Sequence, residues 1–456
     1  MSPASTLALT KEHHQQLLHH LFPGDGLEAA AVLLCSRGVG TRLRLMVRDV
    51  LLVPHDNCIR EADFLRWPGK VIEDAIDIAK QDDLTLILLH SHPGGYFEFS
   101  PQDDRSDQLT ISCIFQALGQ LHGSAIMLPQ GEMLARVYRP DMKPQKLELV
   151  TVAADEIHLW WADGTFHKRP MAFGAESGHE LRRLTAAVIG ASGTGSICME
   201  QAARLGFGRL IVVDYDKVEE KNLNRILNSG IGDLGELKVE VLARAVTAHR
   251  GPGITVPVPT TILDRDAVLQ VSQADVIFCC VDSKEGRQIA DLIASVFLVP
   301  LFDVGVCIPT RRKDEDVAIL DVCARIDYVR PGGATLADRG VYTQAGLRAE
   351  FLKRTAPKQY DQEIRDGYIK GALEEAPSVI SLNMRATADM MLEFISRMYP
   401  FRHDSSGKYS RRQLSFAAGE EEYVPETAFT AAENPLLARG AQEPLIGLPS
   451  LSSKDA

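Results

Sequence analysis

Apolar and polar positions set two different rhythms along this chain. Up to about residue 144 the periods of helix and strand are mixed, an α+β pattern. Residues 11–22 place apolar side chains at helical spacing, with His13, His14, His19 and His20 on the polar face. That spacing predicts a helix whose histidines form a solvated face rather than a metal site. Apolar runs at 29–35, 42–53 and 84–90 predict strands, and 124–128 and 135–138 predict two more. Residues 67–81 and 103–120 predict helices. A bridging segment, 147 to about 174, holds the strand-like run LELVTV and the exposed-looking pair Trp160 and Trp161.

From Leu184 onward strands and helices alternate, which marks an α/β, doubly wound parallel sheet. The buried run AAVIG at 186–190 leads into a glycine-rich turn from Gly190 to Ser196, followed by a helix to about Leu205. The next strand, 210–213, ends at Asp214. Further on, 339–353 and 383–398 look helical, and Glu374 to Pro377 introduce the apolar run 379–382. After Arg402 the periodicity fades into a Ser-, Glu- and Gly-rich tail, expected to be partly disordered or draped over the domain. The expected divisions are a domain at 1–146, a bridge at 147–175, a second domain at 176–400 and a tail at 401–456.

Composition narrows the function classes. A net charge of −12 would repel a nucleic-acid partner. No stretch approaches 18 uninterrupted apolar residues, so no membrane span is expected. The first residues, MSPASTLALTKEHHQQ, lack the basic-then-apolar order of a signal peptide. The eight cysteines are scattered with no C-x-x-C pair, as expected of reduced thiols in a cytoplasmic protein.

Candidate chemistry begins at HSHPGGYFEFSPQD, residues 90–103. His90 and His92 end a predicted strand, and residues two apart on a strand project from one face. Two imidazoles so placed can share Zn2+, with Asp103 as a third ligand and a position left open. Ser100 reads as a helix N-cap, with Pro101 at the first helical position and Asp103 in the first turn. The string H-x-H-P, six residues, then S-x-x-D resembles the JAB/MPN (JAMM) metalloprotease signature without a gap. The resemblance implies a glutamate general base near the start of the first core strand, where Glu28 stands. Glu61, in a polar stretch, is the competing position. By the same resemblance Ser100 bonds the developing oxyanion or steadies the Asp103 region.

The second constellation surrounds the glycine-rich turn. Gly190, Ser192, Gly193 and Gly195 would let the backbone approach a phosphate, and the following helix supplies amides and positive dipole. An acid at Asp214 suits a ribose hydroxyl, which fits NAD enzymes equally. Asp214, Asp216, Val218, then Asn222, Leu223 and Arg225, with Lys238, Asp282 and Arg287 downstream, resemble the ThiF/MoeB adenylating family. That resemblance implies ATP and Mg2+, with Asp214 on the ribose, Arg225 and Lys238 on phosphates, Asn222 beside them and Asp282 holding Mg2+. It also implies a homodimer and an upstream arginine, for which Arg169 is the candidate and Arg182 and Arg183 are alternatives. The paired C-x-x-C motifs of a structural zinc, common in that family, are missing here. Cys307 is the best-placed cysteine for a thioester, though a buried structural thiol is the preferred reading of it.

Together the resemblances imply one enzyme with two sites for the same partner, a ubiquitin-like or sulfur-carrier protein ending in Gly-Gly. One site would adenylate its terminal carboxylate; the other would hydrolyse the bond made at or beyond it. Sulfur-carrier activation without protein conjugation is the nearest rival. A metal-bearing NAD oxidoreductase and a non-catalytic tail-binding scaffold are rivals of other classes.

Overall fold

The computed structural model describes residues 3–166, 168–313, 316–365 and 378–453. By its internal contacts the chain forms two compact units. The first comprises 3–169, 295–298 and the segment from 435; the second comprises 170–294 and 299–434.

The first unit is built on a nine-stranded sheet. Its strands are β1 (Ser5–Thr10), β2 (Ala30–Arg37), β3 (Leu43–Leu52), β4 (Thr85–Ser91), β5 (His122–Met127), β6 (Met133–Tyr138), β7 (Pro144–Lys146), β8 (Leu149–Ala153) and β9 (Ile157–Trp161). They run in the order β9-β8-β1-β3-β2-β4-β5-β6-β7. β2 is apolar from Ala30 to Cys35 because both of its faces are covered there. Ala31, Leu33 and Cys35 join Leu17 and Leu21 of helix α1 (Lys11–Leu21) in one core. Val32 and Leu34 join Ala75 and Ala79 of α2 (Lys70–Asp82) and Ile111 and Ile114 of α3 (Pro101–Leu118) in the other.

Three expectations change here. β1 has no predicted counterpart, yet it pairs parallel with both β3 and β8, and its Ser5, Thr6 and Thr10 are buried. The expected bridge instead supplies β8 and β9 of this same sheet, and Trp161 is only 2% exposed. The histidine face of α1 is only partly solvated. His14 bonds the Gly131 carbonyl at 2.8 Å and stacks on Trp160, while His20 lies against His55.

The second unit carries an eight-stranded sheet: β10 (Thr185–Ile189), β11 (Arg209–Val213), β12 (Thr255–Val258), β13 (Val276–Cys279), β14 (Leu301–Cys307), β15 (Cys323–Val329), β16 (Arg411–Ser415) and β17 (Glu420–Val424). The order β12-β11-β10-β13-β14 is parallel and doubly wound. It reverses direction between β10 and β13, which opens the crevice where such sheets bind ligands. β15, β16 and β17 continue the sheet antiparallel. Its helices include α4 (Gly193–Leu205), α5 (Lys238–Arg250), α6 (Lys284–Phe297) and α7 (Ile380–Met398). Phe394 of α7 meets Phe278 and Phe302 edge-on, with ring centroids 5.5 and 5.7 Å apart.

The expected tail is therefore split between the units. β16 and β17 complete the second sheet, whereas the segment from Pro435 belongs to the first unit. There the Ser36 hydroxyl donates to the Ala438 carbonyl at 2.5 Å and the Gln442 amide donates to the Asp82 carbonyl at 2.7 Å. Glu374 to Pro377 lie outside the described residues.

Candidate functional sites

His90 and His92 stand at the end of β4, and Asp103 stands in the first turn of α3. The ligand atoms of the three lie within 4.8 Å of one another. The two Nε2 atoms are 3.0 Å apart, and His90 Nε2 is 3.1 Å from Asp103 Oδ1. His92 Nδ1 lies 2.8 Å from the Tyr96 carbonyl, so Nδ1–H donates there and Nε2 is left to face Asp103 and His90. Two imidazole nitrogens and a carboxylate oxygen gathered this closely are a donor set suited to a divalent metal of borderline softness.

The electrostatics agree with the geometry. Burial acts to raise the Asp103 pKa, but hydrogen bonds to His90 and His92 outweigh it and hold the carboxyl well below the usual range. Burial acts to lower the His92 pKa, but Asp103 turns the net shift upward. Glu28 precedes β2, whose Ala30 is directly paired with His90. Burial raises the Glu28 pKa against the pull of His90 and His92. Glu61 is tied to the same turn through its backbone, its carbonyl accepting from Glu28 N at 2.8 Å.

The helix start that presents Asp103 is held from both ends. Ser100 Oγ accepts from Asp103 N at 3.2 Å, and Asp103 Oδ2 accepts from Ser100 N at 2.6 Å, a reciprocal capping box. One turn on, buried Asp107 Oδ2 accepts from Ser124 Oγ, from Arg136 and from Tyr138 OH at 2.9 Å. The Arg136 guanidinium also bonds Asp104 at 2.5 Å and lies 3.8 Å over the Phe99 ring. The sequence reading passed over Arg136 and Asp107. Their signal was a charged residue inside each of two otherwise apolar-faced elements.

In the second unit the glycine-rich turn joins β10 to α4 at the crevice. Gly190 has φ +95°, and a Cβ on Gly195 would stand 1.9 Å from the Gly190 carbonyl oxygen, so both positions require glycine. Ser192 is the N-cap of α4 and makes no side-chain cap bond, which leaves the amides of the first turn uncapped by side chains. Asp214, at the end of β11, accepts from Ala191 N at 2.7 Å and Asp216 N at 2.8 Å. Burial raises its pKa, with Lys238 and these two amides opposing.

Lys238 is 4% exposed and pairs with Asp216 at 2.8 Å. The Arg225 side chain reaches within 3.6 Å of where a Gly193 Cβ would stand, and its NH1 donates to the Lys221 carbonyl at 2.9 Å. Burial raises the Tyr215 hydroxyl pKa, and Asp216, Asp214 and Asp282 raise it further, so three carboxylates share that corner. Asp282 is exposed, and its carbonyl accepts from Arg287 at 3.3 Å. Asn222 is buried, and its side-chain oxygen accepts from Glu219 N, closing its own turn.

Three further candidates have these surroundings. Arg169 belongs to the first unit, where it meets Glu156 at 2.5 Å and His158 Nδ1 at 2.8 Å. Arg182 is exposed at the end of the short helix Ala175–Leu181. Cys307 is half-buried and directly opposite Cys323 on the neighbouring strand.

Residues 10–137 match the family model for prokaryotic homologs of the JAB domain, and residues 167–308 match that for the ThiF family. Among curated relatives, ubiquitin-like modifier-activating enzyme 5 of Caenorhabditis briggsae is 34% identical over 125 residues, covering 25% of this chain and 28% of that protein. Its counterpart in Drosophila willistoni is 32% identical over 165 residues, covering 33% and 37%. The tRNA threonylcarbamoyladenosine dehydratase of Bacillus subtilis is 38% identical over 77 residues, covering 17% and 30%. The chain thus spans between 28% and 37% of the length of these relatives. A crystal structure of E. coli MccB with ATP aligns at TM-score 0.42 and 16% identity, covering 57% of this chain and 67% of that one. No helix among the described residues is long and apolar enough to cross a membrane.

Proposed function

We propose that this chain, a prokaryotic JAB domain joined to a ThiF-family domain, activates and also cleaves at the C-terminus of one small ubiquitin-like or sulfur-carrier protein. The observation that carries the reading is the convergence of His90, His92 and Asp103 in a chain that also carries the crevice lined by Asp214, Lys238 and Asp282.

In the first unit His90, His92 and Asp103 would hold Zn2+. That ion acidifies water and polarises a carbonyl when bound. Glu28 takes the proton of the attacking water and passes it to the leaving amine; its raised pKa suits a group that must both accept and give a proton. The Ser100 hydroxyl, whose oxygen already accepts from Asp103 N, keeps its own proton to donate toward the carbonyl oxygen.

In the second unit Asp214 receives the ribose hydroxyls of ATP, and the uncapped amides of α4 face its phosphates. A C-terminal glycine carboxylate attacks the α-phosphorus and pyrophosphate leaves. Arg225 and Lys238 neutralise the charge that develops, while Asp282 and Asp216 hold Mg2+. Arg225 and Lys238 must first leave their present partners, the Lys221 carbonyl and Asp216.

The relatives named ubiquitin-like modifier-activating enzymes support the partner class. Purified protein, incubated with ATP, labelled pyrophosphate and candidate Gly-Gly-terminated ubiquitin-like proteins, should exchange label only when the terminal glycine is intact. It should also cleave a fusion extended beyond that glycine, and a zinc-selective chelator added with Mg2+ in excess should stop cleavage alone. Absence of both activities with every candidate would overturn the reading.

A further inference from the structure

We propose that Cys307 and Cys323 form a reversible disulfide site, oxidised through a cavity of the second unit by a small charged disulfide of the glutathione type. Three observations carry it, and none depends on the activities proposed above. The two residues are directly opposed partners on antiparallel β14 and β15. Such partners have Cα atoms about 4.5–5.5 Å apart and side chains on one face, within the separation of about 4.4–6.8 Å that a disulfide bridges. Both residues also line a single cavity of about 490 Å3, a size that admits a small-molecule ligand. Finally, Cys323 Sγ lies 3.3 Å from the Cys307 carbonyl, so the thiol already points across the pair.

The rest of the lining suggests the co-reactant. Asp321, Glu420 and Glu422 offer carboxylates, and Arg287 and Arg325, already paired with buried Asp303, add guanidinium edges. A zwitterionic peptide disulfide carries ammonium and carboxylate groups to match both signs. Cys198 and Cys280 also bring their thiols together, but both are buried, as are Cys35 and Cys279, and Cys58 and Cys113 are the more open ones.

The exchange proceeds in two balanced steps. One protein thiolate attacks a sulfur of the small disulfide, forming a mixed disulfide and expelling one small thiolate. The second protein thiolate attacks the protein-side sulfur; the Cys307–Cys323 bond forms and the second small thiolate leaves. The protein pair gives up two electrons, the small disulfide is reduced to two thiols, and these take up the two protons. A dithiol reductant reverses the sequence.

The test uses the full chain and oxidised glutathione. Burial pushes the Cys323 thiol above its ordinary value, so incubation at about pH 8.5 shortens the wait for thiolate. Arg311 and Lys313 lie between the two cysteines, so trypsin separates them unless a disulfide holds them together. The expected result is a non-reduced peptide pair linking Cys307 to Cys323, two hydrogens lighter than the separate peptides and abolished by dithiothreitol. In Cys307→Ser and in Cys323→Ser the remaining thiol should instead keep one glutathionyl group. Exposed Cys113 is the internal control. If Cys113 is glutathionylated while Cys307 and Cys323 both remain free to alkylate, the proposal is overturned. A linked pair that joins either cysteine to a third one would overturn it equally.

Discussion

The two candidate sites differ in how much is already assembled before any ligand arrives. In the first unit His90, His92 and Asp103 come from one stretch of fourteen residues, 90–103, and their ligand atoms already lie within 4.8 Å. Their positions are set by a strand end and a capped helix, and the cap is backed by Asp107 and Arg136. In the second unit the groups are spread from Gly190 to Asp282, and its cations are occupied: Lys238 with Asp216, Arg225 with a carbonyl. A metal at the first site joins donors that already converge. A nucleotide at the second must displace existing pairs, so part of its binding energy goes into exchange. The difference teaches that a preorganised site tolerates little change in its support, whereas a site of exchangeable pairs is governed by the balance of charges.

The comparison can be broken most severely by removing one essential group from each side. His92→Ala is expected to abolish peptide-bond cleavage and leave ATP–pyrophosphate exchange unchanged; Asp282→Ala should do the reverse. Loss of both activities in either variant, assayed side by side, would refute independent sites. Glu28→Gln should slow cleavage by about 10²–10⁴-fold, with zinc content by metal analysis unchanged, separating base from ligand.

Acid should part the units in a different way. His122 accepts from Leu86 N through Nδ1, and burial depresses its pKa to about 4. Unfolding lets it bind a proton below about 6.5. Its contribution to stability is therefore full above that pH and lost as pH falls toward 4, by roughly 3 kcal/mol at most. In the second unit buried Asp291 runs the other way. Burial raises it to about 6, so its penalty is relieved as pH falls from 6 toward 4. Hydrogen exchange of β5 and of α6, followed in urea between pH 7 and 4, should show protection falling in β5, and Asp291→Asn should flatten the opposing trend in α6.

The smallest effect concerns support alone. Arg136→Met removes the guanidinium that ties Asp104 and Asp107 to the sheet. It should weaken zinc affinity by about 10–100-fold, leaving nucleotide binding untouched; unchanged zinc affinity by competition with a chelator would show that the capping box suffices.

Local chemistry was legible and long-range pairing was not. The His90-to-Asp103 run carries its strand end, turn and cap in consecutive residues, so three positions follow from local rules. The Gly190-to-Ser196 turn and Asp214 were readable for the same reason. β1 escaped because Ser5, Thr6 and Thr10 look like loop, and only pairing with both neighbours makes their burial affordable. Trp160 and Trp161 looked exposed because nothing local reveals β8 and β9 as part of the first sheet. The opposition of Cys307 and Cys323 depends on a register that no local pattern encodes.

The return of the segment from Pro435 to the first unit has a consequence for biosynthesis. A ribosome delivers β1 through β9 early, but the residues that bond Ser36, Arg37 and Asp82 emerge only after the whole second unit has been made. The first unit therefore waits, unfinished, for most of translation. A polypeptide interrupted between Asp103 and Pro435 would carry the complete His90–His92–Asp103 motif without the segment that closes its unit.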